Sequence, residues 1–347
     1  MMRTIQVTAS HNRRWAPALH FCATPHHLLF SIPRSVCHHD WGECMDGQQL
    51  SDAIAEWNAR GVLVLPHFYA DTEIDAVLAD YRALWNHGRA RVTVDDMDLD
   101  RRMRLGEVSA DARASHRFKV NDLYLEQASV RRLALNDRLV PLLRRLLGER
   151  PALCNSLSLE YGTEQEGHVD SLFMTPRTPT HLVAVWVALE DCSPESGLLR
   201  YWPGSHRIEP YLFSNGERHF IPGELGAWQV WMRAQVQQHG LRSELFQASK
   251  GDVFIWNAQL LHGGSPIAER GRTRRSIVFH YFSESDCRAM GHRLVAESDG
   301  FWIRRSHQPI PGSLNARMRN RVGGIARRVR GLLAGNGRKG TGTPHRP

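Results

Sequence analysis

The sequence predicts a mainly β fold with flanking helices, an α+β chain in which helices pack against one sheet of a β-sandwich or jelly roll. Three observations point there. Between residues 48 and 310, helical apolar patterns come first, before residue 150, and five strand-length apolar runs follow between residues 157 and 282. With 42% hydrophobic and 23% charged residues in 347 positions, the chain can bury a large core. No apolar run approaches the roughly 20 residues that span a bilayer.

In chain order, residues 1–47 read as an unstructured extension ahead of the domain, with Met45 a candidate for the true start. Its Cys22, His26, His27, Cys37, His38, His39 and Cys44 match no paired zinc knuckle. The domain is expected over residues 48–310. Leu50-Ser51-Asp52 leads into an amphipathic helix ending near Gly61, and Val62 to Leu65 form a strand closed by Pro66. Asp71 and Thr72 cap a second helix, because Ile74, Val77, Leu78, Tyr81 and Leu84 recur at helical spacing behind them. The stretch from Arg89 to Arg117 reads as a polar, irregular loop, and a helical stretch surrounds Asp137 to Leu147. Strands are then expected at Leu157 to Tyr161, Leu182 to Leu189, Leu198 to Trp202, Asp252 to Trp256 and Arg275 to Phe282. An insertion between about 207 and 250 carries Trp228, Trp231 and Arg233 and reads as a lid or a surface elaboration.

The net charge of +8 suggests nucleic-acid binding until it is located. Nine basic residues and no acidic one fall between Ser313 and Pro347, so the rest of the chain is close to neutral. In residues 311–347, Leu314, Met318, Val322, Ile325, Val329 and Leu332 recur every three or four positions among the arginines. Such a segment suits either an amphipathic helix on an anionic membrane surface or a solubilising tail. No aromatic residue interleaves with the arginines, which argues against nucleic acid. The six cysteines lack close regular pairing and suit reduced thiols in a cytoplasmic protein.

His-x-Asp occurs twice, at His38-His39-Asp40 and at His168-Val169-Asp170, so the bare motif carries little weight. On a strand, however, His168 and Asp170 would share a face. A third ligand is available in His262, delivered to a glycine-rich corner by Lys250-Gly-Asp-Val-Phe-Ile-Trp-Asn-Ala-Gln-Leu-Leu-His262. Two histidines and one carboxylate are the ligand set of non-heme Fe(II) oxygenases. Beyond it, Arg274, Ser276, Val278 and His280 alternate onto one face, and Arg275, Ile277, Phe279 and Tyr281 onto the other. A guanidinium beside a hydroxyl suits the distal carboxylate of 2-oxoglutarate, although an arginine alone also serves structural ion pairs. Pro203-Gly-Ser-His206 reads as a turn, and His181 and His280 as structural or cavity-lining residues.

The ordered set His168-x-Asp170, Trp186, Pro203-Gly-Ser-His206, Lys250-Gly-Asp252, His262-Gly-Gly and Arg274-x-Ser276 resembles the phytanoyl-CoA dioxygenase family. Residues 48 to 285 carry the likeness. It implies a double-stranded β-helix with Fe(II) on His168, Asp170 and His262, 2-oxoglutarate on Arg274, Trp186 near the cosubstrate and Lys119 assisting. It further implies O2-dependent hydroxylation of a small-molecule or lipid-like substrate, with release of succinate and CO2; the carboxylate of Asp170 favours this over halogenation. One departure stands out: many members have serine two residues after the distal histidine, where this chain has Gly264 followed by Ser265. A cupin-like metal isomerase or hydrolase, or a non-catalytic metal-binding scaffold, are the other classes the residues allow.

Overall fold

The computed structural model describes residues 47–87 and 91–311. The readings for the N-terminal extension and for the basic tail lie outside the described residues.

Helix α1 (Gly47–Arg60) stops at Gly61, whose φ of +76° suits a residue without Cβ, and runs straight into strand β1 (Val62–Leu65). Helix α2 (Asp71–His87) carries Asp71 and Glu73 in its first turn, where they complement the helix dipole. It buries the five residues whose spacing predicts it: Ile74, Val77, Leu78, Tyr81 and Leu84.

The stretch expected to be an irregular loop is ordered instead. It forms β2 (Thr93–Asp96), β3 (Arg101–Arg104) and the short helix α3 (Ala110–Ser115), followed by β4 (Phe118–Asn121). The reason lies in pairing that composition hides. Val92, Val94 and Val120 are buried on one face, while on the other Asp95 takes ion pairs from Arg102 across one strand boundary and Lys119 across the next. Charges that look like loop composition are cross-strand partners.

Two helices follow, α4 (Ala128–Ala134) and α5 (Leu139–Leu147), the latter ended by Gly148 at φ +73°. Strand β5 (Pro151–Leu159) starts earlier and ends sooner than the expected Leu157 to Tyr161, because its Cys154, Asn155, Ser156 and Ser158 are buried polar or small residues that break the apolar pattern. Next come β6 (Leu182–Ala188), β7 (Leu199–Tyr201), α6 (Leu225–Gln238), β8 (Glu244–Phe246), β9 (Val253–Asn257), β10 (His262–Gly264) and β11 (Ser276–Ser283). The described chain closes with α7 (Glu284–Ala289), β12 (Leu294–Glu297) and β13 (Gly300–Ile303).

Ten strands form one sheet in the order β1-β9-β6-β11-β5-β4-β2-β3, with β13 pairing β5 and β12 pairing β13; β10-β7-β8 form a second. The architecture is a jelly-roll core with flanking helices. Val183, Val185 and Val187 of β6, with Ile277, Phe279 and Tyr281 of β11, pack in one cluster with the apolar stripes of α2, α4 and α5. Ala184, Trp186 and Val278 on the opposite face meet Leu199, Tyr201 and Phe246 of the small sheet. Burial on both faces explains why β6 is an unbroken apolar run, and each fully buried large side chain contributes about 1.5–3 kcal/mol. The cleft between the sheets is where the functional side chains converge.

Candidate metal centre

Two short backbone hydrogen bonds assemble the site. His168 N donates to His262 O at 2.8 Å and His262 N to His168 O at 3.0 Å, an isolated antiparallel bridge that lays the two rings 4.4 Å apart, centre to centre. His168 and Asp170 are not on a regular strand, as the spacing suggests; Asp170 opens a 3-10 turn, Asp170–Leu172. They still project together because the intervening Val169 is extended, with φ −118° and ψ 139°.

Asp170 Oδ1 lies 3.7 Å from Nε2 of His168 and 3.7 Å from Nε2 of His262, and one donor atom from each of the three lies within 4.8 Å of the others. An ion about 2 Å from each donor bridges such separations. The other ring nitrogens are engaged: His168 Nδ1 lies 2.9 Å from Glu166 O and His262 Nδ1 3.0 Å from Leu260 O. Carbonyls only accept, so each Nδ1 carries the proton and each Nε2 presents its lone pair inward. Burial, reinforced by the neighbouring His262, holds His168 down to about 4, so its ring is neutral at ordinary pH. Burial alone would raise Asp170, but the imidazoles of His262, His280 and His168 outweigh it and hold the carboxyl well below the usual range. Two imidazoles and a carboxylate suit Fe(II).

The second oxygen of Asp170 is also held. Trp256 Nε1 donates to Oδ2 at 2.8 Å, and His280 Nε2 stands 3.4 Å from the same atom. Period-two alternation puts His280 on the face of Arg274, yet its contact with the carboxylate, and that of Trp256, are not read from the sequence. The available signal was Trp256 itself, six residues before His262 and on the inner face of its strand.

Arg274 is 3% exposed and no acidic side chain pairs with it among the described residues. Its Nη1 donates to Gly197 O at 2.6 Å, its guanidinium carbon sits 5.9 Å from the Trp186 ring centre, and its Nε has no partner. Burial lowers its proton affinity. Ser276 Oγ and Trp186 Nε1 are likewise buried without a partner. By contrast Arg275, on the other face, pairs with both Glu160 and Glu190. Three orphaned donors around a buried cation are what an absent carboxylate would leave behind, and they fit 2-oxoglutarate.

Lys119 faces the same side: Ser276 pairs with Leu159, and Leu159 with Lys119. Its ammonium group lies 3.2 Å from Asp95 Oδ2. A serine at Gly264, the residue common in the family, would force its neighbours to shift, since a Cβ there would lie 2.8 Å from both Glu164 N and Thr163 Oγ1. His206 sits in a 3-10 turn, its Nε2 3.3 Å from Asn58 O, and His181 lies against Ser283 and Asp286. Neither joins the three-residue set. The insertion after residue 207 is a packed element: Trp228 and Met232 of α6 are buried with Val169, Leu172 and Leu261, which flank the three candidate ligands.

The sequence model of the phytanoyl-CoA dioxygenase family matches residues 57–276. A probable alpha-ketoglutarate-dependent hypophosphite dioxygenase of Stutzerimonas stutzeri is 24% identical over 226 residues, 64% of this chain and 75% of that protein. A phytanoyl-CoA dioxygenase domain-containing protein 1 homolog of Caenorhabditis elegans is 26% identical over 186 residues, 52% of this chain and 63% of the homolog. Among solved structures, the non-heme alpha ketoglutarate-dependent epimerase SnoN from nogalamycin biosynthesis shares the fold, with a TM-score of 0.51 and 20% identity over 75% of this chain and 100% of that one. That epimerase is also known in complex with Fe3+ and alpha ketoglutarate. The chain belongs to the phytanoyl-CoA dioxygenase family of Fe(II)- and 2-oxoglutarate-dependent oxygenases.

Proposed function

We propose that this protein hydroxylates an unactivated C–H bond of a small-molecule or lipid-like metabolite. The observation that carries the reading is the buried, acid-free Arg274 beside Ser276, in the same cleft as the His168, Asp170 and His262 set. Iron with 2-oxoglutarate supplies the oxidation when bound, O2 being consumed and succinate and CO2 released.

The protein's own part is binding, orientation and exclusion of water. His168, Asp170 and His262 would hold the metal through one donor atom each, the ligand set of sites that keep positions open for cosubstrate and O2. Arg274 binds the distal carboxylate through charge-assisted hydrogen bonds, Ser276 adds a hydroxyl, and the Trp186 ring flanks the chain. Lys119 stands at the margin of the same chamber. Phe173, whose ring lies 5.9 Å from that of His168 and 5.1 Å from that of Phe220, offers an apolar surface to the part of the substrate presented for oxidation.

Aerobic incubation of the iron-loaded protein with 2-oxoglutarate tests this reading. Slow succinate formation without added substrate, lost in His168→Ala and accelerated by a true substrate that gains one oxygen atom, is the expected result. Wild-type protein that forms no succinate under these conditions would overturn it.

A further inference from the structure

The carboxylate of Asp170 is the inner end of a continuous chain of polar contacts that leaves the domain core and ends outside the residues matched by the family model. His280 Nε2 stands 3.4 Å from Asp170 Oδ2, and the Nδ1 of the same ring lies 3.1 Å from Asn155 Oδ1. Asn155 Nδ2 donates to Asp122 Oδ1 at 3.1 Å, and Arg305 Nη2 donates to that oxygen at 2.8 Å. Gln308 Nε2 reaches the other oxygen of Asp122 at 3.4 Å. The direction of the amide is fixed, because a carboxylate only accepts: Asn155 must turn its NH2 towards Asp122, leaving its oxygen to accept from His280 Nδ1, so both ring nitrogens of His280 face acceptor oxygens and each must carry a proton for the chain to hold.

Asp122 is unusual in two independent ways. Its exposure is 0%, and it holds the left-handed conformation, with φ 60° and ψ 40°, which a non-glycine residue adopts at a cost of about 1–3 kcal/mol. Its backbone N–H is pinned to Ser156 O at 2.7 Å, and a buried carboxylate in this place is tolerable only because Arg305 pairs with it. The strain and the buried ion pair both serve to set the amide that sets the imidazole.

We infer that His280 is a positioning residue for the metal-binding carboxylate, aimed by Asn155 and anchored by the Asp122–Arg305 pair. With Trp256 Nε1 donating to Oδ2 and His280 Nε2 3.4 Å from the same oxygen, Asp170 turns Oδ1 towards Nε2 of His168 and of His262, where it would be available to an ion. The segment beyond β13 thereby becomes part of the metal site, although it lies past residue 276 where the family match ends. This inference rests on the metal reading above.

The experiment is an anaerobic Co(II) titration of the full chain, followed by the visible d–d spectrum, with melting of each metal-free variant as a check on folding. Outer residues that orient metal ligands are worth about 10- to 100-fold in metal affinity. His280→Ala should weaken Co(II) by that range and alter the spectrum. His280→Gln, which keeps a donor near the Nε2 position, should stay within about 3-fold of wild type, and Asn155→Leu should lose about 3- to 10-fold with normal melting. Tight binding by His280→Ala, or His280→Gln as weak as His280→Ala, would overturn the role of His280; unchanged affinity in Asn155→Leu would overturn the link to Asp122 and Arg305. Wild-type Co(II) binding that Asp170→Ala abolishes is read first, so failure of the metal site itself is seen separately. Should His280→Ala not fold, the other two variants still decide.

Discussion

Arg274 distinguishes a cosubstrate site from a structural ion pair, and burial decides between them. A guanidinium that is 3% exposed, pairs with no acid among the described residues and leaves Nε unpartnered is costly unless something anionic arrives. Removing a charge-assisted contact of this kind costs about 1.5–3 kcal/mol, so Arg274→Met should weaken 2-oxoglutarate binding roughly 10- to 100-fold. Calorimetry on the Mn(II)-loaded protein reads this directly, and the metal affinity itself should not change. An Arg274→Met variant that binds the cosubstrate like wild type would exclude the assignment. At this scale the sequence singles out His168, Asp170, His262, Arg274 and Ser276 because each sits in a local pattern of spacing or alternation, and the structure brings the first three within 4.8 Å of one another and buries the other two. It was uninformative for the contacts of Trp256 and His280 with Asp170, since strand alternation gives a face but not which atom across the cleft a side chain reaches.

The elements around the site are set by close backbone approach. A Cβ at Gly251, where φ is +85°, would lie 2.3 Å from Tyr69 O, and one at Gly264 would lie 2.8 Å from Glu164 N. Overpacking of this kind costs about 1–3 kcal/mol, so Gly264→Ser should lower the melting temperature by roughly 2–10 °C, and Gly251→Ala by at least as much. Circular dichroism melts check both, and a Gly264→Ser variant as stable as wild type would contradict the packing described for Gly264 against Thr163 and Glu164. Helices α1 and α2 were legible from their apolar periodicity, and strands β6, β9 and β11 from their strand-length apolar runs. The β2–β3 hairpin was not, since it joins charges such as Asp95 and Arg102 that lie on different strands.

Across the whole molecule, one sheet face buries the apolar core against helices while the other turns polar groups into a cleft closed by a three-stranded sheet. The mainly β class followed from the order of helical and strand patterns, but the sheet order did not, because the pairing of β5 with β11, more than a hundred residues later, has no local signature. That pairing brings Asn155 beside His280, and the antiparallel bridge from His168 to His262 completes the site. The central claim is that this cleft holds iron and 2-oxoglutarate together on the residues named. Anaerobic addition of Fe(II) and 2-oxoglutarate to the metal-free protein, followed by visible absorption, tests it most directly. A charge-transfer band that needs both additions, is absent in His168→Ala and requires far more 2-oxoglutarate in Arg274→Ala is the result expected; wild-type protein that shows no band with both present would contradict the account.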